Sequence, residues 1–184
     1  MDKQTQFIPA PLERVAIIGT SCSGKTTLAR TLADFWQVPH IELDALHWQP
    51  NWTPRPLAEF RALTGAVVAA ERWVLDGNYH QVRDLVWGRA TTLVWLNYPF
   101  HLVFWRALTR TTRRVLWQEE LYNGNRETFR EAFLSRESIL WWVITTYHRR
   151  RREYPALFTQ PAYAHLQVIE LHAPAEVKWL VLQR

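Results

Sequence analysis

The octapeptide GTSCSGKT at residues 19–26 lies between two segments of different hydrophobic pattern. The segment before it, residues 14–19, is a short β-branched run ending in glycine, which is typical of a buried strand. The segment after it carries Leu28, Leu32 and Phe35 at helical spacing. The chain must therefore pass directly from a strand through a glycine-rich turn into a helix.

The octapeptide matches G-x-x-x-x-G-K-[ST] at every fixed position, the signature of a phosphate-binding loop. Gly19 and Gly24 permit a tight backbone path, and successive N–H groups then face a phosphate near the positive end of the helix. In this motif Lys25 reaches the β- and γ-phosphates and the Thr26 hydroxyl binds Mg²⁺. We interpret Cys22 as a packed residue rather than a nucleophile. The residues predicted to bind ATP or GTP are Gly19, Thr20, Ser21, Cys22, Ser23, Gly24, Lys25, Thr26 and Thr27.

The rest of the chain alternates short apolar runs with segments of helical periodicity. Near-continuous apolar runs are typical of strands buried on both faces of a parallel sheet, so the alternation predicts a three-layer α/β domain. The predicted strands are 14–19, 40–44, 72–76, 91–98 and 167–171. The predicted helices are 26–36, 57–70, 100–117, a long helix that carries Phe129 and Phe133 and ends around Arg149–Arg152, and 174–182. We expect residues 1–12 to form an arm and 45–56 a proline-rich loop.

Composition narrows the class of protein. A chain of 184 residues with 48% hydrophobic and 21% charged residues fits one globular domain. Its single cysteine excludes an internal disulfide, and its first residues lack the pattern of a signal peptide. The most apolar stretch, 91–108, is interrupted by polar residues and falls short of the roughly 18 apolar residues of a membrane span. We therefore expect a cytoplasmic protein without a membrane partner.

The positive charge is unevenly distributed along the chain. The formal net charge is +5, and eleven arginines but only five glutamates lie between Arg106 and Arg152. A segment of this kind favours an anionic partner, either the phosphates of a small molecule or those of a nucleic acid.

Two carboxylates end predicted strands. Asp76 closes the run Trp73–Asp76, a pattern typical of an acidic residue that holds Mg²⁺, although an Asp at this place can also cap the next turn. Asp44 closes the second predicted strand. Because ligands of parallel sheets gather at the carboxyl ends of strands, both carboxylates should face the phosphates. Asp44 then either binds the acceptor hydroxyl as a general base or shares the metal.

Several segments together resemble a known group of proteins. These are GTSCSGKTTLA, IELDALHWQPNW, WVLDGNYHQVRD and VWLNYPFHLVFWRALTRTTRR, with weaker agreement in NGNRETFR and HAPAEV. They resemble the adenylate-kinase-like P-loop proteins that are often labelled DNA topology modulation proteins. The resemblance implies a nucleoside-monophosphate-kinase-like fold with five parallel strands, and ATP as the ligand. It also implies an acceptor-binding insertion at 44–72, a lid at about 106–136, and adenine binding near residues 172–177.

The acceptor site is predicted from the insertion and from the turn after the third strand. Trp48 and Trp52 either stack on a base or sugar, or cap the core beneath the proline-rich loop. Arg55 is a candidate partner for an acceptor phosphate. The next predicted acceptor contacts are Asn78, Tyr79 and Arg83, of which Arg83 offers bidentate binding to a carboxylate or phosphate.

Arginines at helical spacing predict a cationic face over the transferring phosphoryl group. Arg106, Arg110, Arg113 and Arg114 fall at i, i+4, i+7 and i+8. Such cations neutralise charge in the transition state of phosphoryl transfer, so Arg110, Arg113 and Arg114 are the catalytic candidates together with Lys25 and Asp44. Arg126 and Arg130 are further candidates from across the lid. The run Arg149–Arg152 either complements a helix C-terminus or contacts nucleic acid.

These features support one main hypothesis and two alternatives. The main hypothesis is Mg²⁺-dependent transfer of the γ-phosphate of ATP to a small-molecule, nucleotide-like acceptor bound between Asp44 and Arg83. The first alternative is an ATP-gated regulator that binds nucleic acid through the arginine-rich segment, although the sequence contains no recognisable DNA-binding module. The second is an NTPase switch.

Overall fold

The computed structural model describes residues 13–118, 120–125, 129, 138–177 and 180. In chain order, its strands and helices are β1 (Arg14–Gly19), α1 (Lys25–Trp36), β2 (His40–Glu42), α2 (Leu43–His47), β3 (Trp48–Gln49), β4 (Thr53–Pro54), α3 (Leu57–Val68), β5 (Trp73–Asp76), α4 (Arg83–Arg89), β6 (Thr92–Leu96), α5 (Phe100–Trp117), α6 (Ile139–Phe158) and β7 (Gln167–Leu171). No helix among these residues is both long enough and apolar enough to cross a membrane.

Five strands form one sheet in the order β2-β5-β1-β6-β7, and every neighbouring pair is parallel. Val15 and Ile17 pack in a cluster with α1 and α5, whereas Ala16 and Ile18 pack in a second cluster with α3 and α4. Because both faces of β1 are covered, successive residues of this strand are apolar. The predicted three-layer α/β fold with a five-stranded parallel sheet is confirmed.

Local signals fix the C-terminal end of α1 and the N-terminal end of α6. α1 ends at Trp36 because Gln37 turns left-handed, with φ of 53°, and its N–H bonds back to Ala33. α6 begins at Ile139, where the Ser138 hydroxyl accepts a hydrogen bond from the Trp141 N–H at 3.2 Å.

The sheet brings the ends of three strands to one edge. Glu42 at the end of β2 is in register with Asp76 at the end of β5, and Asp76 is in register with Ile17 of β1. The phosphate loop follows β1 at this same edge. Side chains that leave these three strand ends therefore meet, as is usual for ligand sites of parallel sheets.

Several predicted boundaries are wrong. β2 ends at Glu42, so Asp44 lies in α2 and not at the end of a strand. The predicted loop 45–56 contains most of α2 and the β3–β4 hairpin, and α4 was not predicted. α6 begins at Ile139 and so does not carry Phe129, and it continues to Phe158, which places Arg149–Arg152 inside the helix and not at its end. Of the predicted last helix, the structure describes a 3₁₀ turn at Pro174–Glu176 and residues 177 and 180.

Some predictions lie outside the described residues. They concern the arm at 1–12, Phe133, the lid arginines Arg126 and Arg130, and most of the lid beyond α5.

Candidate functional site

The phosphate loop joins Gly19, the last residue of β1, to Lys25, the first residue of α1. Gly19 has a φ of +150°, and a Cβ there would lie 2.8 Å from the main-chain oxygen of Leu96. Gly24 has a φ of +100° at the start of α1. Glycine tolerates both conformations, so the backbone path itself requires the two glycines of the motif. Cys22 is buried in the core, in agreement with its interpretation as a packed residue.

Lys25 lies across the loop. Its Nζ donates to the main-chain oxygens of Gly19 and Thr20, each at 3.2 Å. Removal of the ammonium group from solvent lowers the pKa of Lys25, and the charge of the Asp76 carboxylate is the largest opposing influence. The side chain is therefore held at the loop that the motif assigns to the phosphates.

Asn78 has a partner that the sequence did not predict. Its Nδ2 donates to the main-chain oxygen of Gly19, and its Oδ1 accepts from the Gly19 N–H at 3.2 Å. Both ends of the amide thus bind the first residue of the phosphate loop. In this structure Asn78 holds the loop against the turn that follows β5, and its predicted contact with an acceptor remains a prediction.

The residues predicted to bind Mg²⁺ are adjacent. The Thr26 side chain lies close enough to Asp76 to lower the pKa of that carboxyl, and Oδ2 of Asp76 is buried without a hydrogen-bond partner among the described residues. Burial raises the pKa of Asp76 to about 6, against the opposing effects of Thr26 and Lys25. Mg²⁺ usually binds one or two protein oxygens together with phosphate oxygens and water. The Thr26 hydroxyl and the unpartnered Oδ2 of Asp76 are oxygens of this kind. The described part of the chain contains no larger cluster of His, Cys, Asp and Glu that could hold a metal.

The arginines of α5 differ in their surroundings. Arg106 reaches the phosphate loop, where its Nη1 donates to the main-chain oxygen of Ser23 at 3.0 Å. Arg110 is half-buried, and its Nε has no hydrogen-bond partner among the residues that the structure describes. Arg113 is exposed. Arg114 is half-buried, and its charge acts on the Tyr122 hydroxyl. One helix therefore carries a loop-binding arginine followed by the three catalytic candidates.

Asp44 reaches the site although it lies in a helix. The Tyr79 hydroxyl donates to Oδ1 of Asp44 at 2.6 Å. Burial raises the pKa of Tyr79, and the charge of Asp44 acts in the same direction. The charge of Asp44 also acts on Lys25. α2 begins directly after β2 and so keeps this carboxylate at the edge of the sheet where the phosphate loop lies.

A small pocket lies beside Leu43 and Tyr79 on the side of α4. It is lined by Tyr79, Arg83, Trp87 and Tyr154, with Ile18, Leu43, Gly77, Asn78 and Val86. The guanidinium of Arg83 lies 5.1 Å from the centre of the Trp87 ring, within the range of a cation–π contact. The pocket therefore has apolar walls and a cation from α4.

Two other predicted acceptor residues are engaged within the insertion. Arg55 forms an ion pair with Glu59, and its Nε donates to the main-chain oxygen of Leu46 at 2.8 Å. The Trp48 ring packs edge-on against His47 and Trp52, with centroid distances of 4.7 and 5.7 Å. Trp48 is thus packed within the insertion, and its contact with a base or sugar remains a prediction.

Arg150 is the residue that sequence reasoning missed at this site. It lies on the stripe of α6 that also carries the buried residues Val143, Tyr147 and Tyr154. Its Nη1 is buried without a hydrogen-bond partner among the described residues. Burial lowers the pKa of Arg150, and charge interactions link it to both Asp44 and Lys25. The spacing i, i+4, i+7, i+11 from Val143 is the signal that identifies it.

The other three arginines of the run point elsewhere. Arg149 pairs with Glu153 at 3.7 Å, Arg151 donates to the Tyr147 hydroxyl at 2.6 Å, and Arg152 is exposed. The run is therefore not one continuous basic surface.

The position predicted for adenine follows β7. The His172 N–H donates to the Glu176 carboxylate at 2.7 Å, which closes the turn there. Adenine binding at this turn remains a prediction.

Several solved structures of other proteins have a similar fold. No protein-family model matches the chain, and no curated protein matches it. Shikimate kinase from Acinetobacter baumannii in complex with shikimate is 16% identical, with a TM-score of 0.53 over 92% of this chain and 89% of that one. A gluconokinase from Sinorhizobium meliloti 1021 is 19% identical, with a TM-score of 0.52 and the same coverages.

A third solved structure, shikimate kinase from Bacteroides thetaiotaomicron, is 17% identical, with a TM-score of 0.51 over 93% of this chain and 95% of that one. The chain therefore has the same fold as these kinases. Membership of the narrower DNA topology modulation group remains a prediction.

Proposed function

We propose that the protein is a P-loop kinase that transfers the γ-phosphate of Mg·ATP to a hydroxyl of a small anionic acceptor. The observation that carries the proposal is the position of Asp44, a carboxylate that accepts a hydrogen bond from Tyr79 and whose charge raises the pKa of the phosphate-loop lysine. The similarity in fold to shikimate kinase and gluconokinase supports the same class of reaction.

The nucleotide side of the site is assigned from the phosphate loop. Residues 19–27 bind the phosphates, and Lys25 follows the β- and γ-phosphates. Thr26 and Asp76 would hold Mg²⁺, which would offset the charge of the phosphates. We assign Arg110, Arg113 and Arg114 to the transferring phosphoryl group, because they follow Arg106 along the helix that contacts the loop.

The acceptor side combines a carboxylate with two guanidinium groups. Asp44 accepts the proton of the attacking hydroxyl or orients that hydroxyl. Arg83, in the pocket, and Arg150, next to Tyr154 on α6, offer bidentate binding to a carboxylate or phosphate of the acceptor. The protein forms no covalent bond with the phosphoryl group in this reaction. Positioning of the reactants and neutralisation of charge therefore supply most of the rate acceleration of phosphoryl transfer.

ADP release from Mg·ATP tests this proposal. The acceptor panel contains shikimate, gluconate, nucleoside monophosphates and nucleosides, and Lys25→Ala serves as the blank. Stimulation by an anionic hydroxyl compound supports the kinase and names its acceptor class. A rate that is the same with and without every acceptor contradicts it.

A further inference from the structure

The hydroxyl of Tyr79 donates to Oδ1 of Asp44 at 2.6 Å. A carboxylate can only accept, so the Tyr79 proton points to Asp44. The rings of Trp48 and Tyr79 both pack on the His47 ring, with centroid distances of 4.7 and 4.5 Å. Trp48 is therefore linked to Tyr79 through His47.

The Tyr79 ring cannot easily leave this position. Its centroid lies 4.5 Å from that of His47 and 5.3 Å from that of Phe60, a fully buried residue. Aromatic contacts of this kind hold a ring in one orientation. The hydroxyl of Tyr79 is thus presented to one oxygen of Asp44 by rigid surroundings.

The main chain of Trp48 is held in turn by the asparagine segment, residues 121–125. Asn123 Nδ2 donates to the Trp48 main-chain oxygen. Asn125, which is buried, donates to the Gln49 oxygen at 3.0 Å and accepts from the Trp52 N–H at 2.8 Å. The β3–β4 hairpin is therefore tied to the segment that follows α5, the helix of the candidate catalytic arginines.

We propose that Asn123, Trp48 and Tyr79 form a positioning chain that holds Oδ1 of Asp44 and leaves Oδ2 for the acceptor hydroxyl. This inference rests on the proposed kinase function. None of the three residues touches the transferring group in this account, so they act through Asp44. The chain also ties the orientation of Asp44 to the asparagine segment, which lies between the catalytic arginines and α6.

A double-mutant cycle separates this role from a structural one. Tyr79→Phe removes only the hydroxyl that donates to Asp44. A hydrogen bond to a charged group is worth about 1.5–3 kcal/mol, so kcat should fall by roughly 10- to 100-fold. KM for ATP should stay within about twofold of the wild-type value. In an Asp44→Asn background, Tyr79→Phe should cause no further loss, because the group that it positions is already gone.

Asn123→Asp tests the end of the positioning chain that is farthest from Asp44. It replaces a donor by an acceptor that faces the Trp48 oxygen, and the residue keeps its left-handed φ of 55°. Asn51→Asp is the matched control, since Asn51 is exposed in the same hairpin and has a φ of 61°. Asn123→Asp should lower kcat by about tenfold and Asn51→Asp by less than twofold.

The assay uses whichever member of the acceptor panel gives the fastest transfer, and thermal midpoints show that each variant is folded. The positioning chain is wrong if Tyr79→Phe lowers kcat by the same factor in the wild-type and Asp44→Asn backgrounds. It is also wrong if Tyr79→Phe leaves kcat unchanged. Either result leaves the kinase function standing, because the wild type still transfers phosphate. Absence of transfer by the wild type overturns both.

Discussion

Arg106 of α5 donates from Nη1 to the main-chain oxygen of Ser23 at 3.0 Å. Its guanidinium also lies 5.6 Å from the centre of the Tyr98 ring. A residue 83 positions away along the chain thereby supports the phosphate loop, between the loop itself and Tyr98, which follows β6.

Arg106→Gln should weaken ATP binding more than it slows transfer. The substitution removes a charge-assisted hydrogen bond and a cation–π contact, together worth about 1–2 kcal/mol. KM for ATP should rise by roughly tenfold. The exposed Arg152→Gln is the charge-matched control and should leave this constant unchanged. A rise of the same size in both variants would show that overall charge is responsible.

Gly19→Ala should destabilise the protein and abolish nucleotide binding. The new Cβ would lie 2.8 Å from the Leu96 oxygen, and the φ of +150° disfavours any side chain. We expect a loss of about 1–3 kcal/mol in the free energy of unfolding. Gly88→Ala, in α4 where no atom lies within 4 Å of a new Cβ, should be neutral or slightly stabilising. Thermal midpoints of the two variants measure the difference.

Asp76 should make the stability of the nucleotide-free protein depend on pH. Burial raises the pKa of Asp76 to about 6, above its ordinary value of 3.8, so the folded state binds the proton more tightly than the unfolded state. Stability therefore falls as pH rises from about 4 to 6, by on the order of 3 kcal/mol for this group. Asp76→Asn should remove this decline in denaturant titrations, and Mg²⁺ should oppose it in the wild type. A decline that persists in Asp76→Asn would assign it to other groups.

Arg150→Gln should impair use of the acceptor, whereas Arg152→Gln should not. Of these two arginines, only Arg150 lies on the buried stripe of α6, where the charge of Asp44 acts on it. Loss of one charged contact to an anionic acceptor should raise the acceptor KM by about 10- to 100-fold. Arg150→Lys should recover part of the loss, because a lysine keeps the charge but not the bidentate geometry. Equal kinetics in the two glutamine variants would remove Arg150 from the acceptor site.

The parts of the fold that depend on local pattern could be predicted from the sequence. β1, the turn at Gly19 and Gly24, and α1 follow from apolar runs, glycine chemistry and helical spacing within 23 residues. The parallel sheet follows because strands covered on both faces are continuous apolar runs.

The remaining features depend on contacts between distant residues. Asn78 binds Gly19 across 59 positions of sequence, and no local pattern marks that partner. α4 is only seven residues long and α2 only five, too short for a clear periodic signal. Arg150 was hidden in a run of four arginines, and only the buried stripe of α6 distinguishes it from its neighbours.

The most direct test of the account follows the phosphoryl group itself. ATP labelled at the γ-phosphate is incubated with the protein, Mg²⁺ and the acceptor panel, and the labelled products are separated. We expect the label to appear in an organic phosphate of one anionic hydroxyl acceptor. Lys25→Ala should abolish this product, and Asp44→Asn should lower it while ATP still binds. Label found only in inorganic phosphate with every acceptor, at a rate that Asp44→Asn does not change, would contradict this expectation.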